Sequence, residues 1–196
     1  MLWHRTIGKG QNLVLLHGWA FNSDIFIELV DKYKNDYCIT VIDLPGHGRS
    51  PDVEGNIEDW CNEIIRFIPE KSILLGWSLG GLLSIFIAHQ IKIKELILVA
   101  ASPCLVNNDN WDFGIRREVF DQFAENLKVD STKALKRFVS LQSKNKSQIQ
   151  ELHHSIQKYP ASHSSLNDGI EIITQSDLRA EFRDINIPKK CILGKL

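Results

Sequence analysis

A serine between two glycines is the residue of this sequence best placed to do chemistry. Ser78 lies at the centre of Gly76-Trp77-Ser78-Leu79-Gly80, directly after the apolar run at residues 72–75 and before a helix-forming stretch at residues 79–91. This order of strand, glycine-flanked serine and helix is typical of a nucleophile elbow, which lifts the serine hydroxyl above the sheet at a helix N-terminus. Glycines are needed because larger side chains would collide where the strand and the helix cross. The pattern predicts nucleophilic catalysis at Ser78.

Two backbone N–H groups are needed to stabilise the anion that forms when a serine attacks an ester carbonyl. The residue after the nucleophile, Leu79, supplies one of them. The other should come from the loop after an earlier strand, and His17-Gly18-Trp19 follows the apolar run at residues 13–16. We therefore predict that the Trp19 N–H is the second donor and that the Trp19 indole lines the acyl pocket. His17 is interpreted as a structural residue that holds the loop.

Short apolar runs indicate the sheet that must position these residues. They are apolar on both faces, which is typical of central strands in a parallel sheet. Between the second and third runs, a helical stripe from Ile57 to Ile68 follows a possible cap at Asn56. Strand and helix therefore alternate, as in βαβ units. The runs are Leu13–Leu16, Cys38–Ile42, Ile73–Leu75, Leu96–Val99 and Cys191–Leu193.

The alternation stops after Ala101, where a long helical insertion is predicted. Apolar residues from Ser102 to about Pro188 follow helical spacing, and Gly169 to Arg179 is interpreted as the helix that returns to the sheet. An insertion at the carboxyl edge of a parallel sheet covers the ligand crevice. The predicted domains are a core at residues 1–101, a helical lid and return helix at residues 102–188, and the incomplete start of a C-terminal core portion at residues 189–196.

These elements predict an α/β-hydrolase fold, a mostly parallel sheet flanked by helices with a lid inserted after the strand that ends near Ala101. In this fold the catalytic acid and then the histidine follow the serine in the sequence. That order disfavours Asp43 and His47 as a catalytic pair. It also leads us to expect that the chain of 196 residues lacks the catalytic acid and base, together with the last strand and helix. Asp109, His153, His154 and His163 are considered as substitutes and disfavoured.

Composition excludes several classes of function. Lys and Arg number 23 against 24 Asp and Glu, so the whole chain shows no charge excess that would indicate a nucleic acid or membrane partner. The four cysteines are widely spaced, which disfavours a metal site and predicts structural thiols in a reducing compartment. Neither a signal peptide nor an apolar run of about 20 residues is present, so we expect a cytoplasmic protein. No cofactor-binding motif is present, so no cofactor or metal is expected.

A set of longer motifs shows a narrower resemblance. These are His17-Gly18-Trp19, Asp43-Leu44-Pro45-Gly46 with Gly48-Arg49-Ser50, Gly76-Trp77-Ser78-Leu79-Gly80-Gly81, Ala101-Ser102-Pro103-Cys104, and the lid segment Arg137-Phe138-Val139-Ser140-Leu141-Gln142. With these motifs the sequence, as far as about Leu193, resembles the pimeloyl-[acyl-carrier protein] methyl ester carboxylesterase family of biotin synthesis. The resemblance implies hydrolysis of the methyl ester of pimeloyl-acyl carrier protein to methanol and a free carboxylate, without a cofactor.

The resemblance also implies roles for individual residues. Ser78 would be the nucleophile, and Trp19 and Leu79 would be oxyanion donors and substrate contacts. Lys133 and Arg137 would contact the phosphopantetheine phosphate or the acidic carrier protein. Independently, residues 128–158 carry seven Lys and Arg residues against Asp130 and Glu151, a net charge of +5 that would attract such a partner. The lid wall over the acyl chain would consist of Phe138, Val139, Ser140, Leu141 and Gln142.

Three alternatives to this interpretation stay open. The same elbow and lid would serve a general small-acyl esterase or lipase. A truncated, non-catalytic α/β-hydrolase fragment would bind ligand or carrier protein without turnover. The basic lid residues could also be an ordinary solvated helical face. A dehalogenase is disfavoured because its nucleophile is an Asp at the position of Ser78. We expect a monomer whose partner is an acyl carrier protein.

Overall fold

The computed structural model describes residues 1–194 and contains one six-stranded sheet flanked by helices. The strands β1 to β6, in chain order, are His4–Gly8, Gln11–Leu16, Tyr37–Ile42, Ile73–Trp77, Glu95–Val99 and Lys189–Ile192. In the sheet they lie in the order β1-β3-β2-β4-β5-β6, and within the described residues β1 alone runs antiparallel to its neighbour. The predicted fold class, a mostly parallel α/β sheet, is confirmed.

Eight helices connect and cover these strands in the described part of the chain. A short 3-10 turn at Ser23–Phe26 precedes the first of them. The helices α1 to α8 are Ile27–Tyr33, Ile57–Ile65, Leu79–Gln90, Arg117–Val129, Ser131–Ser140, Lys146–Lys158, His163–Gln175 and Arg179–Asp184. Helices α4 to α8 all lie between β5 and β6, as the predicted helical insertion requires. The division into three domains, which includes residues 195 and 196 outside the described part, stays a prediction.

Local sequence explains where α2 begins. The Asn56 side chain accepts a hydrogen bond from the Glu58 N–H at 2.8 Å, and the Asp59 carboxylate accepts one from the Asn56 N–H at 2.9 Å. This reciprocal arrangement is a capping box, which satisfies N–H groups that a helix N-terminus leaves without partners. The predicted cap at Asn56 is therefore confirmed.

The predicted return helix from Gly169 to Arg179 is wrong in its bounds. Helix α7 begins six residues earlier, because the Ser162 side chain caps it by accepting a hydrogen bond from the Ser165 N–H at 3.1 Å. It ends at Gln175, and a separate short helix, α8, begins at Arg179. Gly169 lies inside α7 and is buried, so it marks a close contact and not a helix start.

The core lies on both faces of the sheet. Four residues of β2, Leu13 to Leu16, are buried, and so are the last four residues of β3. One face packs against α2, α3 and the helical insertion, and the other packs against the 3-10 turn and α1. Strands β2 and β4 are therefore fixed from both sides, and their carboxyl ends carry the loops that contain Trp19 and Ser78. Among the described helices, none is long and apolar enough to cross a membrane.

Candidate active site

Ser78 lies on a sharp turn between β4 and α3. Its backbone has φ 53° and ψ −118°, a conformation that residues other than glycine rarely adopt. The Ser78 N–H donates to the Val99 carbonyl of β5 at 3.0 Å, which ties the turn to the neighbouring strand. Such strain persists only where the surrounding structure holds it, and it clusters at functional sites. The turn has the geometry of a nucleophile elbow.

The flanking glycines allow this turn because backbone atoms pass close to them. A Cβ atom on Gly76 would collide with the Gly80 carbonyl and the Ser84 hydroxyl, and one on Gly80 would collide with the Leu16 carbonyl. A Cβ on Gly81 would collide with Ala101. The steric reason for the two glycines that the sequence suggested is therefore confirmed.

Two backbone N–H groups, those of Leu79 and Trp19, have no hydrogen-bond acceptor within residues 1–194. Leu79 is the first residue of α3, so the helix itself provides no carbonyl for its N–H. The Trp19 N–H donates no hydrogen bond within residues 1–194. Gly18, the residue before Trp19, packs on the elbow, where a Cβ atom on Gly18 would lie 3.3 Å from the Ser78 Cβ. Together these groups could hold the anion of a tetrahedral intermediate.

Aromatic side chains from the sheet loops and from the lid meet beside the loop that contains Trp19. The Trp19 ring packs edge-on against Phe123 of α4 and Phe138 of α5, with ring centroids 5.4 and 5.1 Å apart. Phe21 lies between Phe138 and Trp77, the residue that precedes Ser78, at 6.0 and 4.9 Å. The result is an apolar wall of core and lid residues next to the elbow. Phe123 was not among the predicted site residues, since nothing in its own helix indicates a partner 104 positions earlier.

Of the residues predicted to form the lid wall, some are buried in the structure and others are exposed. Phe138 is partly buried in the aromatic cluster, and Val139 is fully buried against Phe21 and Ile156. Ser140, Leu141 and Gln142 are exposed, and the Leu141 side chain is 77% exposed. The Ser140 hydroxyl and the Gln142 amide donate to carbonyls of their own helical segment. Phe138 and Val139 thus pack with Phe21, the other three are exposed, and the role of all five as a wall over the acyl chain stays a prediction.

Lys133 and Arg137 are exposed on α5, four residues apart and therefore on one face of the helix. Neither side chain forms an ion pair within residues 1–194, so both charges are available to a partner. This arrangement is compatible with carrier-protein contacts and also with an ordinary solvated face.

His17 is held by backbone groups on both sides of its ring. Its Nε2 accepts from the Leu44 N–H at 2.9 Å, so its Nδ1 carries the proton and donates to the Gly18 carbonyl at 2.8 Å. Burial lowers the pKa of His17 to about 4. With both nitrogens occupied and the ring neutral, His17 fixes the loop at residues 17–19 and has no nitrogen free to act as a base.

Asp43 and His47, which the sequence disfavours as a catalytic pair, are both bound to other groups. The Asp43 carboxylate accepts hydrogen bonds from the Ser23 N–H at 2.8 Å and from the Arg49 N–H and Nε at 2.9 and 2.8 Å. Burial raises the pKa of Asp43, but the bonds from Arg49 and Ser23 outweigh it and lower the pKa overall. The His47 Nδ1 donates to the Pro45 carbonyl at 2.8 Å, and burial lowers the pKa of His47 to about 3.

No hydrogen bond within residues 1–194 joins the Ser78 hydroxyl to a histidine. His153 and His154 lie on α6, and His163 begins α7, where its Nε2 lies 3.3 Å from the Ser131 hydroxyl. Asp109 is exposed in the loop before α4. A general base for Ser78 is thus not formed by the residues considered as substitutes.

The sequence is similar both to a family model and to individual known proteins. The sequence model described as the alpha/beta hydrolase family matches residues 13–175. A pimeloyl-[acyl-carrier protein] methyl ester esterase from Shewanella woodyi is 34% identical, over 97% of this chain and 77% of the relative. Proteins of the same name from Nitrosomonas europaea and Wigglesworthia glossinidia brevipalpis are 35% and 37% identical, over 97% and 98% of this chain and 79% and 77% of the relatives.

Solved structures share the fold. An esterase from Exiguobacterium antarcticum superimposes with a TM-score of 0.87 at 23% identity, covering 97% of this chain and 75% of that chain. A bromoperoxidase from Bacillus anthracis superimposes with a TM-score of 0.89 at 19% identity, covering 98% and 76%. At these identities the likeness concerns the fold alone.

Proposed function

Since the chain belongs to the alpha/beta hydrolase family, and within it to the pimeloyl-[acyl-carrier protein] methyl ester esterases, we propose that it hydrolyses the methyl ester of pimeloyl-acyl carrier protein through Ser78. The observation that carries the proposal is the strained backbone of Ser78, together with two N–H groups, those of Trp19 and Leu79, that have no acceptor in the described part of the chain. An ester carbonyl that receives the Ser78 oxygen would develop its negative charge next to both donors.

The reaction proceeds in two halves. The Ser78 oxygen bonds to the ester carbonyl carbon while a general base takes its proton, and the tetrahedral intermediate collapses as the protonated methoxy group leaves as methanol. Water then attacks the acyl–serine ester and releases the free carboxylate together with regenerated Ser78. The residues described here supply the nucleophile and the oxyanion donors of both halves.

The surroundings of Ser78 support the substrate class. The apolar wall formed by Trp19, Phe21, Phe123 and Phe138 suits a chain of methylene groups, whose burial contributes about 0.8 kcal/mol for each group. The exposed cations of α5, among them Lys133 and Arg137, suit the phosphate and the acidic surface of a carrier protein. An apolar wall together with exposed cations favours an acyl chain delivered on a charged carrier.

Methanol release from pimeloyl-acyl carrier protein methyl ester tests the proposal. Because Ser78 has no histidine partner within residues 1–194, the assay uses this chain fused to the C-terminal part of the Shewanella woodyi relative. We expect turnover of the carrier-bound ester, and none after Ser78→Ala. Equal turnover by the Ser78→Ala fusion would overturn the proposal.

Charge reversal distinguishes a carrier-specific enzyme from a general small-acyl esterase. In the double variant Lys133→Glu and Arg137→Glu, we expect KM for the carrier-bound ester to rise about tenfold at low salt, since each exposed pair contributes up to about 1 kcal/mol. KM for a small chromogenic ester should not change. The matched control reverses two exposed cations elsewhere, Lys92→Glu and Arg183→Glu, with the same change in net charge. Equal effects of both pairs on the carrier-bound ester would favour the solvated-face interpretation.

A further inference from the structure

A carboxylate in the loop after β3 ties the start of α7 to the core. Asp52 lies in the loop that follows β3, and its Oδ1 accepts hydrogen bonds from two serines at the start of α7. Ser162 is one of them and is the N-cap of α7, and Ser165, at 2.9 Å, is fully buried. The Ser162 N–H also donates to the Gly46 carbonyl at 2.8 Å. These four residues form the Asp52 clasp.

The clasp is tightly packed around Gly46. Gly46 has φ +60°, and a Cβ atom on it would collide with the Ser165 hydroxyl and with the Asp52 carboxylate. Close packing of this kind fixes the two serines against Asp52 and leaves little room for another arrangement. The N-terminus of α7 therefore has one defined position relative to the sheet.

Helix α7 in turn fixes Trp19. The Trp19 indole Nε1 donates to the carbonyl of Leu166, the residue after Ser165, at 2.9 Å. One turn further on, Gly169 packs on the same ring, where a Cβ atom would lie 2.8 Å from Trp19 Cδ1 and 3.4 Å from a Leu79 methyl carbon. Helix α7 thus contacts both residues whose N–H groups we assign to the oxyanion hole.

We propose that Asp52 is a positioning residue, which holds α7 so that Leu166 and Gly169 set the Trp19 ring and with it the Trp19 N–H. The proposal rests on the proposed function in assigning that N–H to the oxyanion hole. An oxyanion donor acts only if it points at the developing charge, so a shift of Trp19 lowers kcat more than it weakens substrate binding. A purely structural clasp would lower stability alone.

The first test follows the Trp19 indole N–H in the 196-residue chain by ¹⁵N–¹H NMR, with its cross-peak assigned by its loss in Trp19→Phe. Asp52→Ala should move this cross-peak toward the shift of a solvent-exposed indole. Asp52→Asn keeps an acceptor oxygen and should leave it close to its original position. Ser165→Ala, which removes one of the two donors, should give an intermediate shift. An unmoved cross-peak in Asp52→Ala would overturn the proposal.

The second test measures kcat and KM in the fusion described above. Asp52→Ala should lower kcat about tenfold, less than the loss of a whole donor, and change KM by less than about twofold. The matched control is Asp59→Ala, which removes the capping-box carboxylate of α2 and should lower the melting temperature with kcat unchanged. The positioning role is refuted if Asp52→Ala leaves kcat unchanged or if Asp52→Asn loses as much as Asp52→Ala. Turnover that survives Ser78→Ala would instead refute the proposed function, and the NMR result does not depend on it.

Discussion

The sheet side and the lid side of the candidate site differ in the share of their residues that is buried. Helix α3, which follows Ser78, buries eight of its 12 residues, whereas α4 in the lid buries two of its 13. Side chains in a close-packed interior have few alternative positions, and partly exposed ones have many. The sheet side is therefore suited to hold the nucleophile in a strained conformation, and the lid is suited to adapt to the acyl chain.

The lid itself is attached unevenly. Its later part is hydrogen bonded to the core, because the Asn22 side chain donates to the carbonyls of Ser155 and Tyr159 and the Trp19 indole donates to Leu166. Helices α4 and α5 meet Trp19 through aromatic contacts of Phe123 and Phe138. Contacts without directional hydrogen bonds can slide, so we expect substrates to displace α4 and α5 before α7.

The largest loss of stability is expected from a substitution where the backbone packs tightly behind the elbow. In Gly80→Ala the new methyl group would collide with the carbonyls of Leu16 and His17, which are backbone atoms and cannot rotate away. We expect the free energy of unfolding, measured by urea denaturation, to fall by about 3 kcal/mol or more. The matched control is Gly194→Ala, because a Cβ at Gly194 would meet no atom within 4 Å among the described residues other than its chain neighbours. An equal midpoint for both variants would contradict the account of the elbow.

The next largest effect is a dependence of stability on pH, which arises from the two buried histidines His17 and His47. Burial lowers the pKa of His17 to about 4 and of His47 to about 3, so between pH 4 and 6.5 the unfolded chain binds protons that the folded chain does not. Stability is full above about pH 6.5 and falls with decreasing pH, by up to about 1.4 kcal/mol per pH unit for each histidine.

Replacing His47 shows how much this histidine contributes to the dependence of stability on pH. His47→Gln should lower the slope of unfolding free energy against pH, from pH 6 to 4.5, by about 1.4 kcal/mol per pH unit. The comparison is with the unsubstituted protein, measured over the same pH range. An unchanged slope in His47→Gln would show that His47 is protonated in the folded protein.

The smallest effect is expected from a comparison of one buried and one exposed residue in the same lid segment, Val139 in α5 and Leu141 directly after it. Val139→Ala removes fully buried methyl groups and should lower the free energy of unfolding by about 1–2 kcal/mol. Leu141→Ala removes a side chain that is 77% exposed and should change it by less than about 0.5 kcal/mol. Equal losses in thermal or urea denaturation would mean that the lid packs through a different face.

The sequence predicts the sheet well where burial leaves a simple pattern. Strands β2 to β5 are continuous apolar runs between turns, and the elbow glycines follow from sterics alone. Strand β1, His4–Gly8, was not predicted, because it is an edge strand whose residues are mostly exposed and polar. Gly169 misled the prediction of the return helix, since a buried glycine inside a helix resembles a helix boundary.

The site is less predictable than the fold because its contacts join distant segments. Leu166 and Asp52 act through a carbonyl and a carboxylate whose partners lie more than 100 positions away in the chain. Exposure of Ser140, Leu141 and Gln142 depends on where α5 ends and how it turns, which their residue types do not specify. Ser78 lies on a sharp turn between a strand and a helix, as its local motif predicts, and its role as nucleophile and those of Trp19 and Leu79 as donors stay predictions.

Covalent labelling of the fusion protein tests most directly whether Ser78 is the nucleophile. A fluorophosphonate probe, followed by mass spectrometry of the digested protein, should modify the peptide that contains Ser78 and no other serine. Ser78→Ala should abolish the adduct and lower kcat for ester hydrolysis by on the order of 10⁶. An adduct on a different serine, or turnover that survives Ser78→Ala, would contradict the assignment of the elbow as the reactive centre.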